Sequence, residues 1–292
     1  MSIPFSCPHC GKSMAVENQF AGQTGPCASC GQTITIPAAG AVKPSGAGLG
    51  ALGAMVAMGI VGVVVCLGIG GIIAALLLPA MTTTRTTSQR ISSQNNLKQV
   101  VLAMHNYHDV HQSFPPAFVA DADGKPLYSW RVLILPFLEQ QALFDRFDKS
   151  KAWDAPENIA ISNTMLDVYR SPLDPALALE GTNYFVLIGP QTVFTGGTPQ
   201  SMAAITDGTS NTIAVVELQG ISGSWSAPID PHMEKVSLSI GPGVNQLNAT
   251  SPEGMNAAFC DGSVRLLQPG VSPGMLNLLF LRNDGQAVMV PE

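Results

Sequence analysis

Four cysteines near the N-terminus carry the clearest chemistry in the sequence. CPHCGK and CASCGQ place Cys7 and Cys10, then Cys27 and Cys30, in two Cys-x2-Cys pairs separated by sixteen residues. One such turn offers two soft thiolate ligands, and two turns complete the tetrahedron that Zn²⁺ prefers. Gly11 and Gly31 follow the pairs, where the backbone must curl back so that amides approach the sulfurs. The ligand set is closed and leaves no position for a substrate, so the expected Zn²⁺ is structural rather than catalytic. His9, inside the first turn, reads as solvent-facing. A segment this short holds no core unaided. Metal binding is therefore expected to supply its folding free energy, of order 10–16 kcal/mol in comparable peptides. Two disulfides or free thiols are the competing reading of the same residues.

Other candidates carry weaker signals. His105, His108 and His111 recur every third residue, with Asp109 four after His105. Successive three-residue steps drift around a helix, so at most two of these histidines share an ion, and a structural helix end is the preferred reading. DADGK, with Asp121, Asp123 and Gly124, resembles a fragment of a calcium loop, but the twelfth position holds Val132 rather than Glu. A hairpin turn is expected there. Asp207-Gly208 in ITDGTSNT fits a turn as well, with Ser210 and Asn211 capping backbone amides. No Gly-x-Ser-x-Gly elbow, His-Glu-x-x-His or phosphate-binding loop occurs, and the expectation is that the protein is not an enzyme.

The elements that would position these residues follow from composition. The chain has 292 residues, 12% of them charged, a net charge of -6 and a positive mean hydropathy of +0.25. An acidic chain without a basic face argues against a nucleic-acid partner. Residues 1–37 form the cysteine-bearing module, expected to be a zinc ribbon, and residues 38–46 a Gly/Pro-rich linker. Residues 47–81 run without a charge and exceed the roughly 20 apolar residues that cross a bilayer, so a single transmembrane segment is expected there. The run begins too far from Met1, and is too long, for a signal peptide. Gly46, Gly50, Ala54, Gly62, Cys66, Gly70 and Ala74 lie on a four-residue grid, which permits self-association or packing on another membrane helix. Thiolates persist best in a reducing compartment, so the N-terminus is expected to be cytoplasmic and the C-terminal domain periplasmic or extracellular. The few flanking charges weakly favour the reverse.

After the span, Ile91, Leu97, Val101, Met104 and His108 recur at helical spacing. One long helix is expected from about residue 50 to 111, ending before Pro115-Pro116. Beyond it, strands are expected at 127–135, 182–189, 211–218, 255–260 and 263–267, and helices at 137–147 and 156–166. Asp261-Gly262 signals a two-residue hairpin. Residues 275–282 form a helix or a strand, and 219–254 read as a long loop.

In order along the chain, IAALLLPAM, NNLKQVVLAMHNYHD, DGKPLYSWRVLILPFLEQQALFDRFD, VYRSPLDP, TNYFVLIG, ITDGTSNTIAVVE and AAFCDGSVRLL resemble successive blocks of a bacterial family. That is the domain-of-unknown-function family 1559, the prepilin-type processing-associated His-X9-Asp-Gly proteins. The resemblance covers about residues 72–290. It implies an α+β, pilin-like fold: a long N-terminal transmembrane helix packed on an antiparallel sheet, here preceded by the small zinc ribbon. Residues 82–292 would be the pilin-like extracytoplasmic domain, with its helix at 82–111. Two departures stand out. The pilin processing signal is absent, and no Glu occurs between Glu17 and Glu139. The family's His falls at Ser251, leaving Asp261-Gly262 without it, and a family Cys is replaced by Ser171.

The expected function is a membrane-anchored, pilin-like structural or interaction protein, displaying an extracytoplasmic domain while its cytoplasmic zinc ribbon docks a partner. Its expected contacts are membrane lipid and protein partners on both faces. A pseudopilin of a type II secretion or type IV pilus-like machine is the alternative. An extracytoplasmic enzyme or binding protein acting on polymer is the third.

Overall fold

A computed structural model describes residues 2–36, 85–242 and 246–286. The chain divides into two compact units, residues 1–75 and 76–292.

In the first unit, β1 (Ser2–Ser6) and β2 (Ser13–Glu17) pair antiparallel, and β3 (Thr24–Pro26) and β4 (Thr33–Thr35) do the same. Each pair brackets one Cys-x2-Cys turn. Exposure alternates along β2 and β4, which leaves only one narrow face to bury. That face holds Cys7, Cys27 and Ile34, with Phe5 and Met14 packed against them. So little apolar surface does not hold such a segment together by itself.

The second unit begins, within the described residues, with helix α1 over 85–111. Leu97, Val100, Val101, Ala103 and Met104 form its buried stripe, while Leu102 and Val110 face outward. Gln112 ends it in the left-handed conformation (φ 59), donating its backbone N–H to His108 O. Pro115 and Pro116 follow at once. β5 (Phe118–Ala120) and β6 (Pro126–Ser129) make a hairpin, followed by α2 (Trp130–Leu133), a 3-10 turn at Leu135–Leu138, α3 (Gln141–Arg146) and α4 (Ile159–Ser162). β7 (Tyr184–Phe185), β8 (Ile213–Glu217), β11 (Met255–Phe259) and β12 (Val264–Leu267) build the main sheet in the order β12-β11-β8-β7, antiparallel throughout. Between β8 and β11, β9 (Ser237–Ile240) and β10 (Gln246–Leu247) form a small parallel pair. α5 (Pro273–Phe280) closes the unit, capped by Ser272 Oγ accepting the Met275 N–H.

The sheet is covered on both faces. Tyr184, Val186, Val215 and Ala258 share a core with the buried stripe of α1, whereas Phe185, Val216, Ala257 and Phe259 pack with Leu276, Leu279 and Phe280 of α5. Double coverage explains why β8 and β11 are buried at every position, and why their sequences run apolar instead of alternating. Both of their polar members are paired: Asn256 Nδ2 donates to Glu217 Oε2 at 2.6 Å, and Thr250 Oγ1 to Oε1 at 2.6 Å.

This architecture corrects the expected fold. It is mixed α/β with five α-helices among the described residues, and none of these helices is long and apolar enough to cross a membrane. α1 carries Arg90, Gln94, Asn96 and Lys98 around one apolar stripe, the pattern of a helix lying on a sheet. The expected transmembrane segment 47–81, with its small-residue grid, and the linker 38–46 lie outside the described residues. The helices of the described residues thus correct the expected pilin-like architecture with a long transmembrane helix, and the single-pass localisation drawn from it, because none of them is long and apolar enough to cross a membrane.

Smaller differences have local causes. The strand expected over 127–135 stops at Ser129, whose Oγ accepts the Arg131 N–H and starts α2. That turn carries the Arg131 side chain into the interior. The helices expected at 137–147 and 156–166 shrink to Gln141–Arg146 and Ile159–Ser162. Glu139 at φ 60 interrupts the first. Residues 219–254, expected as a long loop, carry a 3-10 turn at Met233–Lys235 and the strands β9 and β10, and Ser224, Trp225, Ser226 and Asp230 are buried among them. The ambiguous segment 275–282 is helical through Phe280.

Candidate metal centre

Both cysteine turns use the same backbone device. Cys7 N–H donates to Lys12 O (3.1 Å) and Gly11 N–H to Cys7 O (2.8 Å). In the second turn Cys27 N–H donates to Gln32 O and Gly31 N–H to Cys27 O, both at 2.8 Å. Gly11 and Gly31 adopt φ of 71° and 72°, with open space where a side chain would begin. Glycine is thus required by the left-handed backbone and not by crowding. Two equal turns on two short hairpins bring four sulfurs to one point.

The four Sγ atoms lie within 4.8 Å of one another, with Cys7 and Cys27 buried and Cys10 and Cys30 exposed. Cys7 Sγ and Cys30 Sγ are 3.8 Å apart. A disulfide would need about 2.05 Å, whereas Zn–S bonds of about 2.3 Å in a tetrahedron separate sulfurs by about 3.8 Å. The cluster is therefore compatible with a zinc site. Backbone amides of Ser29 and Cys30 aimed at its sulfur lower the Cys27 thiol to about 7. The Gln32 amide acts on Cys30 in the same sense, but desolvation and the neighbouring sulfurs outweigh it and push that thiol up to about 12. Ionising one sulfur thus opposes ionising the next, and a bound cation relieves that opposition. Among the described residues this is the one group of three or more His, Cys, Asp or Glu side chains placed to share an ion.

The other sequence candidates separate into structural roles. His108 Nε2 accepts the Met202 N–H at 3.1 Å, and the His111 ring stacks on Tyr107 at 4.1 Å. His105 packs edge-on against Phe114. Asp121 Oδ1 accepts the amides of Asp123 and Lys125 and closes the β5–β6 turn as expected. Asp261 Oδ1 accepts the Ser263 N–H, and the hairpin closes from Phe259 to Ser263 around Gly262 at φ 89°, one residue longer than the expected two-residue turn. Ser171 Oγ accepts the Leu173 N–H. The Asp207 carboxylate reaches well beyond its own turn: Oδ2 accepts the Asp284 N–H (2.7 Å) and Oδ1 the Gly285 N–H (2.9 Å).

Sequence reasoning missed the principal polar centre of the large unit. The Arg131 guanidinium is fully buried and forms a two-point pair with Asp230: Nη2 to Oδ1 at 2.7 Å and Nη1 to Oδ2 at 3.0 Å. Its Nε and Nη2 also donate to Tyr184 O, and Nη1 to Ser129 Oγ. Asp230 Oδ1 accepts the Val186 N–H as well, and Tyr169 donates its hydroxyl to Arg131 O. Trp130 and Phe185 lie beside the guanidinium, at 4.6 and 5.2 Å from it. One signal was present: a lone arginine inside the apolar run LYSWRVLIL needs a buried partner.

Residues 82–200 match the model of a family described as a protein of unknown function, DUF1559. The match supports that domain family for this part of the chain and does not include the cysteine module. No curated protein and no solved structure matches the chain.

Proposed function

We propose that this is a non-enzymatic interaction protein whose residues 2–36 form a structural zinc ribbon that docks a protein partner. The convergence of Cys7, Cys10, Cys27 and Cys30 within 4.8 Å carries the reading. A module with three core residues and two apolar neighbours gains its fixed shape from metal, and its short hairpins then present an ordered surface. The non-enzymatic part draws support from how the large unit uses its buried charges. Arg131 and Asp230 satisfy each other, Glu217 is held by Thr250 and Asn256, and Asp207 is spent on backbone amides. The acidic chain favours a protein partner over nucleic acid.

The test uses the full chain, purified under reducing conditions, with zinc measured per chain and amide exchange followed in residues 2–36. One zinc per chain, protection lost on chelation, and loss of both in Cys7→Ser or Cys27→Ser are expected, while residues 85–286 stay protected. Absence of bound zinc when the metal is supplied in excess would overturn the ribbon. Binding to nucleic acid in place of protein would overturn the partner class.

A further inference from the structure

Each cysteine turn contributes one buried and one exposed cysteine. Cys7 and Cys27 belong to the small core of the module, whereas Cys10 and Cys30 are open to solvent. Cys7 Sγ and Cys30 Sγ come from opposite turns and stand 3.8 Å apart. A disulfide bond is about 2.05 Å long, so an approach of about 1.8 Å would join them. Ligation requires all four sulfurs as thiolates, and one divalent cation leaves their charge only half neutralised. Residues 18–36, which carry the second turn, contain no charged side chain apart from the cysteines themselves. Cys30 is thus an exposed, electron-rich sulfur with a second sulfur beside it, the arrangement that makes a cysteine prone to reversible oxidation.

We propose that Cys30 and Cys7 make the ribbon a peroxide-sensitive switch, in which oxidation at the exposed Cys30 joins it to Cys7 and removes two of the four metal ligands together. The proposal rests on the reading of residues 2–36 as a zinc ribbon and adds its regulation. Hydrogen peroxide is the oxidant. The Cys30 thiolate attacks one peroxide oxygen, the O–O bond breaks, hydroxide leaves, and Cys30 becomes a sulfenic acid. The Cys7 thiolate then attacks the Cys30 sulfur, and the S–S bond forms as a second hydroxide departs. Each thiolate gives up one electron, and the peroxide takes both. Cys10 and Cys27 alone do not complete a tetrahedral site. Since the core of the module is Cys7, Cys27 and Ile34, losing the metal costs it the ordered surface that a partner would meet. A dithiol reverses the bond by exchange.

The full chain, purified reduced and loaded with zinc, is exposed to hydrogen peroxide beside a chromogenic zinc chelator. Zinc release is timed, amide exchange is followed in residues 2–36, and disulfides are mapped by alkylation and mass spectrometry without reduction. A Cys7–Cys30 disulfide should appear in step with zinc release and loss of protection, and dithiothreitol with added zinc should restore both. Cys260, fully buried in the large unit, should stay reduced throughout. Cys30→His keeps a zinc ligand but removes the attacked sulfur, and should slow release by roughly tenfold or more. Zinc retained through millimolar peroxide, a pairing other than Cys7 with Cys30, or unchanged release from a zinc-loaded Cys30→His chain would each overturn the switch and leave the ribbon standing. A parent chain that takes up no zinc before peroxide is added would overturn the ribbon itself, and the switch with it.

Discussion

Asp230→Asn changes one oxygen for one NH2 group and should still be among the most damaging substitutions in the large unit. Arg131 is completely buried, and Asp230 supplies both acceptors of its two-point pair. The asparagine keeps the shape but removes the charge, and its new NH2 group faces either the guanidinium or the Val186 N–H, both of them donors. The remaining partners of Arg131, Tyr184 O and Ser129 Oγ, are neutral and leave the cation uncompensated. Breaking a buried pair in this way costs about 3–5 kcal/mol. In a unit of this size each kcal/mol shifts Tm by about 2–4 °C, so a fall of roughly 6–20 °C is expected. Trp130 packs against Arg131, and Trp225 stacks on Tyr169 at 5.8 Å, so tryptophan fluorescence in urea reports the loss. Removing both charges with Arg131→Met and Asp230→Leu should recover part of the stability, because no buried charge then stands alone. A single variant within about 1 kcal/mol of the parent, well below the cost of a broken buried pair, would refute the reasoning.

Burial raises the Cys260 thiol above its usual 9.0 and the Tyr169 and Tyr184 hydroxyls above 10.0. These groups are neutral when protonated, so the unfolded chain releases its protons first as pH rises. Their contribution is intact below about pH 9 and should decline progressively beyond pH 10, together with delayed tyrosinate absorbance; unchanged urea midpoints across that range would contradict it. A Cβ at Gly254 would collide with the Leu267 carbonyl at a φ of 141°. Gly254→Ala should therefore cost about 2–4 kcal/mol, while Gly270→Ala, which meets open space, should stay within about 0.5 kcal/mol by the same denaturation assay. Asp207→Ala strips the acceptors from the Asp284 and Gly285 amides, and hydrogen exchange at those two positions should accelerate well beyond that of β8.

What was legible in the sequence was what the chain writes locally. The four clustered cysteines stand three residues apart within each turn, so pattern alone fixes which atoms converge. β8, β11 and β12 were found because apolar runs ended by turn residues admit few other readings, and the helix at 85–111 because its stripe has one period. The misreadings lie where distant residues decide. Arg131 is satisfied by a carboxylate 99 positions away, and Trp225 reaches the Thr164 carbonyl 61 positions back. Such pairing pulls part of a stretch rich in Gly, Pro and Ser into the interior, although its composition describes a long loop. Continuity of apolar residues from the uncharged run into α1 suggested one helix crossing a bilayer. Polar positions at 90, 94, 96 and 98, each facing an element encoded much later or solvent, separate α1 from that reading.

The partners of α1 also set a schedule for the nascent chain. Ser93 meets Tyr184, His108 meets Met202, and Gln94 meets Asn256, at sequence separations of 91, 94 and 162 residues. At a synthesis rate of about 5–20 residues per second, the last of these arrives roughly ten to thirty seconds after the helix has been made. Until β7 and β8 follow, Leu97, Val100, Val101 and Met104 lack Tyr184, Val186 and Val215, with which they share a core. A ribosome paused ahead of β7 therefore holds out an apolar ridge to any chaperone that recognises one.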